Sequence, residues 1–261
     1  MVGLLTTLFA LQVFSAGSEQ LDTAQEKKQI LYIGDNHLAS AKVKILKASA
    51  EKHNLSLDAY STRSFSKKPG LKAICDYPVV ITQAVSRDAA SGMYGPISGA
   101  MKTCASQGVK QQAIAVGFEM PHLNVGFSQQ QNLKLSAFFS NGMRLNYENA
   151  FAYLGNIAFS RNNTVGDLIN VPKVGVYHPD YKGLITADTK AFFKWKALSK
   201  STSTVGVLIH RSAVENEQTA VVDATIRAIE KQGGKGVGIF FDGMDAHTGF
   251  RWKRLCSVLS R

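Results

Sequence analysis

Val174-Gly-Val-Tyr-His-Pro-Asp180 and, further on, Val205-Gly-Val-Leu-Ile-His-Arg-Ser212 are the stretches on which the fold turns. Each is a short apolar run that stops on polar side chains, the pattern of a strand buried on both faces. Residues 188–197 between them read as a helix. Residues 216–231 read as another, followed by a strand at 236–241. Strand alternating with helix, with Gly or Pro near the joints, is the pattern of a parallel sheet covered by helices.

The first half follows the same pattern. Strands are expected at Gln29–Ile33, Leu55–Tyr60, Pro78–Thr82 and Gln112–Phe118. Residues 38–52 carry Val43, Leu46 and Ala50 on one stripe with lysines between, an amphipathic helix. Lys67–Cys75 reads as a short helix, and Asp88–Gln107, with three glycines and Pro96, as a broken helix or helix-loop-helix. Residues 128–160 hold two helical runs, and Arg161-Asn-Asn-Thr164 is linker-like. The fold class is therefore α/β. It reads as two Rossmann-like parallel-sheet units with helices on both faces, or as one doubly wound domain with a helical insert. Residues 29–165 are the first unit with its helical insert, and 166–245 are a second unit, incomplete because no helix clearly follows its last strand. Residues 246–261 form an atypical basic tail.

Residues 1–16 carry no charge and hold an apolar run, Leu4–Phe14, before Ser15-Ala-Gly17. That resembles a signal peptide without its positive n-region and points to a periplasmic or exported protein, with the cytoplasm as the alternative. No stretch reaches the length of a stable membrane span. The composition, 45% hydrophobic and 19% charged, excludes a disordered chain. The net charge of +11 is dispersed, without an Arg-rich run or basic–aromatic alternation, so nucleic acid is not an expected partner. Cys75, Cys104 and Cys256 form no Cys-x-x-Cys pair, which excludes a zinc knuckle. Cys75 and Cys104 are read as two separate buried thiols, with a disulfide as the alternative in an exported chain.

Ligands of open α/β sheets bind beyond the carboxyl ends of the strands. His178, Asp180, His210 and Arg211 stand at two such ends and are candidates to line one crevice. Asp35 and His37, after the first strand, are further candidates. Imidazole can ligate a metal or carry a proton, and a guanidinium can grip a carboxylate. The competing reading makes the histidines strand terminators bonded to backbone. Glu119-Met-Pro-His122 is a weaker candidate. No P-loop is present. Gly233–Gly238 precedes a strand, whereas a phosphate cradle must follow one, so this run is a helix stop.

Phe139-Ser-Asn-Gly-Met-Arg-Leu-Asn-Tyr-Glu-Asn-Ala150, Tyr177-His-Pro-Asp180, Val205–Ser212 and Ile229-Glu-Lys-Gln-Gly233 together resemble the large, CobN-type subunit of the cobaltochelatase and magnesium chelatase family. Met143 and Arg144 depart from the family's Asn-Gly-Gly-x-x-Asn pattern. The resemblance covers about residues 29–245 and corresponds to the N-terminal portion of that subunit. It implies a tetrapyrrole substrate (a corrin or porphyrin), insertion of Co²⁺ or Mg²⁺ for cobalamin-type biosynthesis, and ATP hydrolysis on separate AAA+ subunits, in keeping with the missing P-loop. It also implies a chain inactive as a ligase by itself. An exported tetrapyrrole- or metal-handling binding protein is the first alternative, and a periplasmic small-solute binding protein the second.

Overall fold

The computed structural model describes residues 28–84, 87–117, 123–198 and 203–242. The apolar leader, Glu119–His122 and the basic tail lie outside these residues. The first sheet is built from β1 (Lys28–Gly34), β2 (Leu55–Ser61), β3 (Val79–Ala84) and β4 (Gln112–Gly117). Its order is β2-β1-β3-β4, and every pairing is parallel. Its helices are α1 (Ser40–Glu51), α2 (Thr62–Lys67), α3 (Arg87–Ser106), α4 (Gln129–Asn141) and α5 (Arg144–Phe159), with a 3-10 turn at Leu71–Asp76.

Alternate strand residues enter opposite layers, as the pleat requires. Ile30, Tyr32, Leu57, Ile81 and Val116 pack with Leu46 of α1, Phe138 of α4 and Phe151 of α5. Leu31, Ile33, Val80 and Ala115 pack on the other face with Phe65 of α2 and with Tyr94, Ile97 and Met101 of α3. The expected helical insert is thus one of the covering layers of the first sheet. Ser128 and Gln131 close a capping box that starts α4.

The second sheet contains β5 (Val174–Tyr177), β6 (Ile185–Thr186), β7 (Thr204–His210) and β8 (Lys235–Phe241), in the order β6-β5-β8-β7. Its helices are α6 (Thr189–Lys196), α7 (Arg211–Glu215) and α8 (Ala220–Lys231). On one face, Val222 and Ile226 of α8 bury Tyr177, Ile209 and Phe240. On the other, Phe192 of α6 buries Val176, Val237 and Ile239.

A ladder of asparagines joins the two halves. Asn141 accepts the Val171 amide at 2.9 Å, and Asn146 accepts the Ile169 amide at 2.9 Å while donating to its carbonyl at 2.8 Å. Asn149 accepts the Gly166 amide at 2.9 Å, and Asn156 brackets Asn163 through both main-chain groups. An extended segment has no internal ladder for its polar backbone, and these side-chain amides supply the partners instead. The linker is thereby held along α5.

Four sequence expectations change. β7 and β8 are parallel, but β5 runs antiparallel to β8, so the second sheet is mixed. The pinned linker explains this. It delivers the chain to the carboxyl ends of β7 and β8, where the Asp242 amide bonds the Lys173 carbonyl at 2.8 Å, and β5 must start there and run back. α3 is one continuous helix with Pro96 inside it, because Tyr94, Ile97 and Met101 hold both sides of the proline against the sheet. The helix expected over 216–231 begins only at Ala220, as α8, and a short additional helix, α7, precedes it at Arg211–Glu215, with Glu217 at φ 53° between them. Cys75 and Cys104 form a disulfide, their Cα atoms 5.3 Å apart, and are not separate thiols. Among the described residues, no helix is long and apolar enough to cross a membrane.

Candidate functional site: a cleft between two sheets

The carboxyl ends of β1, β3 and β4 face the carboxyl ends of β7 and β8 across a cleft of ≈ 740 Å³. That size falls within the range of ligand pockets. Asp35 and His37 stand on one wall, His210 and Arg211 on the other. Four of the six candidates picked from the sequence therefore share one site, although the two pairs are about 175 residues apart in the chain.

The turn after β1 is shaped by Asp35, whose carboxylate accepts the His37 amide at 2.8 Å. His37 itself is exposed. Across the cleft, His210 caps α7 by accepting the Ser212 amide on Nδ1 at 3.2 Å. The neutral ring then carries its proton on Nε2, at the exposed edge. Arg211 is a structural hub. It pairs with Glu215 at 3.0 Å and Asp242 at 3.1 Å, and donates to the Val171 carbonyl at 3.1 Å. Burial raises the Glu215 carboxyl above its ordinary value, with Arg211 and then Lys42 pulling the other way.

Close approach makes glycine necessary at two places on the cleft wall. Gly142 has φ +64°, and a Cβ there would lie 2.8 Å from Cβ of Glu215. Gly117 has φ +84°, and a Cβ there would lie 2.4 Å from the Ala84 carbonyl oxygen. Both positions need the left-handed backbone and the missing side chain. Next to Gly142, the Met143 amide bonds the Glu215 carbonyl at 3.1 Å, and Arg144 forks onto Glu217 at 3.0 and 2.6 Å. These contacts fix α7 to the first half of the molecule.

Sequence reading passed over Lys42, on α1. Its ammonium donates to Gln83 Oε1 at 2.7 Å and lies 5.8 Å from the centre of the Tyr147 ring. Tyr32 donates to the same Gln83 oxygen. Burial pushes the Lys42 amine down to about 8, against the opposing pull of Glu215 and Asp35. A signal was present: Lys42 is three and four residues before Ile45 and Leu46, on the buried side of the helix.

His178 and Asp180 lie elsewhere, which corrects the single crevice expected from the sequence. Tyr177 pairs with Gly238 in the middle of β8, with the chain running towards the start of that strand, while His210 pairs with Phe241 at its end. β8 separates the two strands, and the antiparallel β5 carries His178 to the opposite end of the sheet. His178 is fully buried. Its Nδ1 accepts the Asp180 amide at 3.1 Å, so the neutral ring donates from Nε2 to Glu230 at 3.0 Å. Lys196 pairs with Glu230, and Arg227 grips Asp180 through both guanidinium nitrogens. His178, Asp180 and Glu230 could in principle hold a metal ion. The two cations already neutralise both carboxylates, so this cluster ties α6 and α8 to β5. Of its partners, Lys196 and Arg227 carried no sequence signal and Glu230 stood only within the Ile229–Gly233 stretch of the resemblance, because only the tertiary packing brings them to His178.

The architecture is thus an α/β protein with a ligand-sized cleft at the carboxyl ends of parallel strands from two sheets. Residues 136–255 match the family model described as CobN/Magnesium Chelatase. Over that span the chain is similar to this family and to its large subunits. It is 36% identical over 77 residues to the magnesium-chelatase H subunit of Rhodobacter capsulatus, an alignment covering 30% of this chain and 6% of that protein. It is 32% identical over 108 residues to the corresponding magnesium-chelatase protein of Chlorobaculum parvum, covering 40% of this chain and 8% of the relative. The catalytic subunit of cobaltochelatase from Mycobacterium tuberculosis shares the fold with a TM-score of 0.54 at 16% identity, over 83% of this chain and 16% of that one. The chain therefore spans a small fraction of the length of the proteins it matches.

Proposed function

We propose that this chain handles a tetrapyrrole, a corrin or porphyrin, as the N-terminal part of a CobN-type large subunit. In this reading the assembly inserts a divalent metal, Co²⁺ or Mg²⁺, and ATP is hydrolysed on AAA+ partner subunits. The observation that carries the reading is the family match over residues 136–255, which spans the end of α4, α5, the linker and the whole second sheet. The cleft supports it, since a site of ≈ 740 Å³ between two sheets has room for a large flat ligand. Metal insertion displaces two ring N–H protons, and the groups on the cleft walls are of the kind that accept and pass protons.

Titration of the full chain with deuteroporphyrin, followed by porphyrin fluorescence, tests the reading. Saturable binding is expected, competed by other tetrapyrroles but not by sugars or amino acids. Absence of porphyrin binding, together with saturable binding of a sugar or amino acid, would favour a small-solute binding protein.

Export is the second part of the proposal, and with it the alternative role of a tetrapyrrole- or metal-handling protein outside the cytoplasm. It is supported by the apolar run Leu4–Phe14 and by the disulfide between Cys75 and Cys104, a bond that persists in oxidising compartments. N-terminal sequencing of protein from cells should find a start near Gly17. An intact Met1 in the cytosol would remove this part of the reading.

A further inference from the structure

Among the described residues, the cleft has two strongly basic side chains, Lys42 and Arg211, and they are in opposite situations. Arg211 is engaged by Glu215, Asp242 and the Val171 carbonyl. Lys42 has neutral company within bonding range. Its hydrogen bond goes to the Gln83 amide oxygen and its nearest ring is Tyr147. Among the described residues, no carboxylate forms an ion pair with it. A partly buried ammonium without an ion-paired carboxylate is held at a cost, and an incoming anion relieves that cost.

We propose that Lys42 is the anchor for a carboxylate of the ligand bound in the cleft. The inference rests on the tetrapyrrole reading and deepens it, by assigning the acidic side chains of the ring to the α1 wall. The charged and titratable groups that line the cleft with Lys42 are Tyr32, Asp35 and His37 from the β1 end, Tyr147 of α5, His210 and Asp242 at the ends of β7 and β8, and Glu215 with Arg211 on α7. Asp35 and Glu215 favour the charged amine from a distance, but each has nearer hydrogen-bond or ion-pair partners. The ligand carboxylate thus meets a donor whose remaining two N–H bonds are not committed to a carboxylate.

This anchoring has a pH signature. Free Lys42 loses its proton near 8, and a bound carboxylate favours the protonated form. Affinity is therefore greatest below that value. It falls about tenfold per pH unit above it, until the amine of the complex itself titrates. Binding at pH 8 to 9 takes up a proton.

The test compares deuteroporphyrin with its dimethyl ester on the full chain. The diacid is expected to bind roughly 10–100-fold more tightly than the diester at pH 7, as for a charge-assisted hydrogen bond. Lys42→Met should erase that margin, bringing the diacid down to the affinity of the diester. Lys42→Arg should keep the margin and carry it undiminished to pH 9. Circular dichroism confirms that the variants are folded. Equal affinity for diacid and diester, or a margin that survives in Lys42→Met, overturns the inference while the tetrapyrrole reading stands. If neither porphyrin binds, the tetrapyrrole reading fails, and succinate decides the anchor. NMR of the Lys42 ε-carbon should then show its pKa rising when succinate is added. A pKa that succinate does not move overturns the inference.

Discussion

Replacing Arg211 by alanine is expected to destabilise the folded chain by about 3 kcal/mol, discounting a buried ion pair for partial exposure. The side chains of Arg211 and Glu215 are 14% and 19% exposed, so neither charge is well solvated when its partner is lost. The substitution also frees Asp242 at the end of β8 and removes the donor to Val171 on the linker. For a domain of this size the melting temperature should drop by roughly 6–12 °C. Arg211→Lys should recover less than half, because an ammonium cannot fork across three acceptors. Thermal and urea melts decide the matter. If Arg211→Ala melts within a degree or two of the parent, the hub contributes little. If it then loses ligand binding, Arg211 reverts to the ligand-contacting role suggested by its place at the strand end.

Glu230→Ala is the second large effect, about 2–3 kcal/mol, because one carboxylate serves Lys196, Arg227 and the buried His178. Without it, Lys196 is left 11% exposed beside a buried imidazole with no acceptor for its proton. The same cluster makes the second sheet acid-labile. Burial, countered by Glu230, holds His178 below its ordinary value of 6.5. The unfolded chain therefore binds the proton first, and stability falls as pH drops below about 6.5 until the folded imidazole itself titrates. Burial would raise Glu230, but Lys196 and His178 outweigh it and hold this carboxyl below 4.5, as Arg227 holds Asp180 below 3.8. Their stabilisation is present above those values and is lost as pH falls through the folded ones. Urea melts from pH 8 to pH 4 should show a steady loss beginning near 6.5. A flat profile down to pH 5 would mean that His178 is not held neutral by its surroundings.

Much of the architecture was legible because it rests on local patterns. β1, β3 and β4 are continuous apolar runs, buried on both faces as such runs require, and of the α1 stripe Val43, Leu46 and Ala50 the last two are buried, with Ile45 beside them and Val43 half-buried. The asparagines of α5 were visible as residues, but their purpose was not. Asn146 and Asn149 look like ordinary polar helix positions until the linker lies against them. Pro96 is a helix breaker by local preference, yet α3 runs through it, because packing against the sheet outweighs the loss of one backbone hydrogen bond.

The sequence by itself determined that this is an α/β chain and roughly where its strands end, while the division into two sheets came from the structure. The first two properties follow from apolar runs, helical periodicity and turn residues within short windows. It also placed Asp35, His37, His210 and Arg211 at strand ends, where α/β proteins bind ligands. Only the tertiary structure decided which strand ends meet. Strand direction depends on where a connection delivers the chain, and the asparagine-held linker starts β5 beside the end of β8. That geometry sends His178 away from the cleft into an ion-pair cluster, sets His210 across the cleft from Asp35, and places Lys42 in the same lining, with no carboxylate ion-paired to it among the described residues.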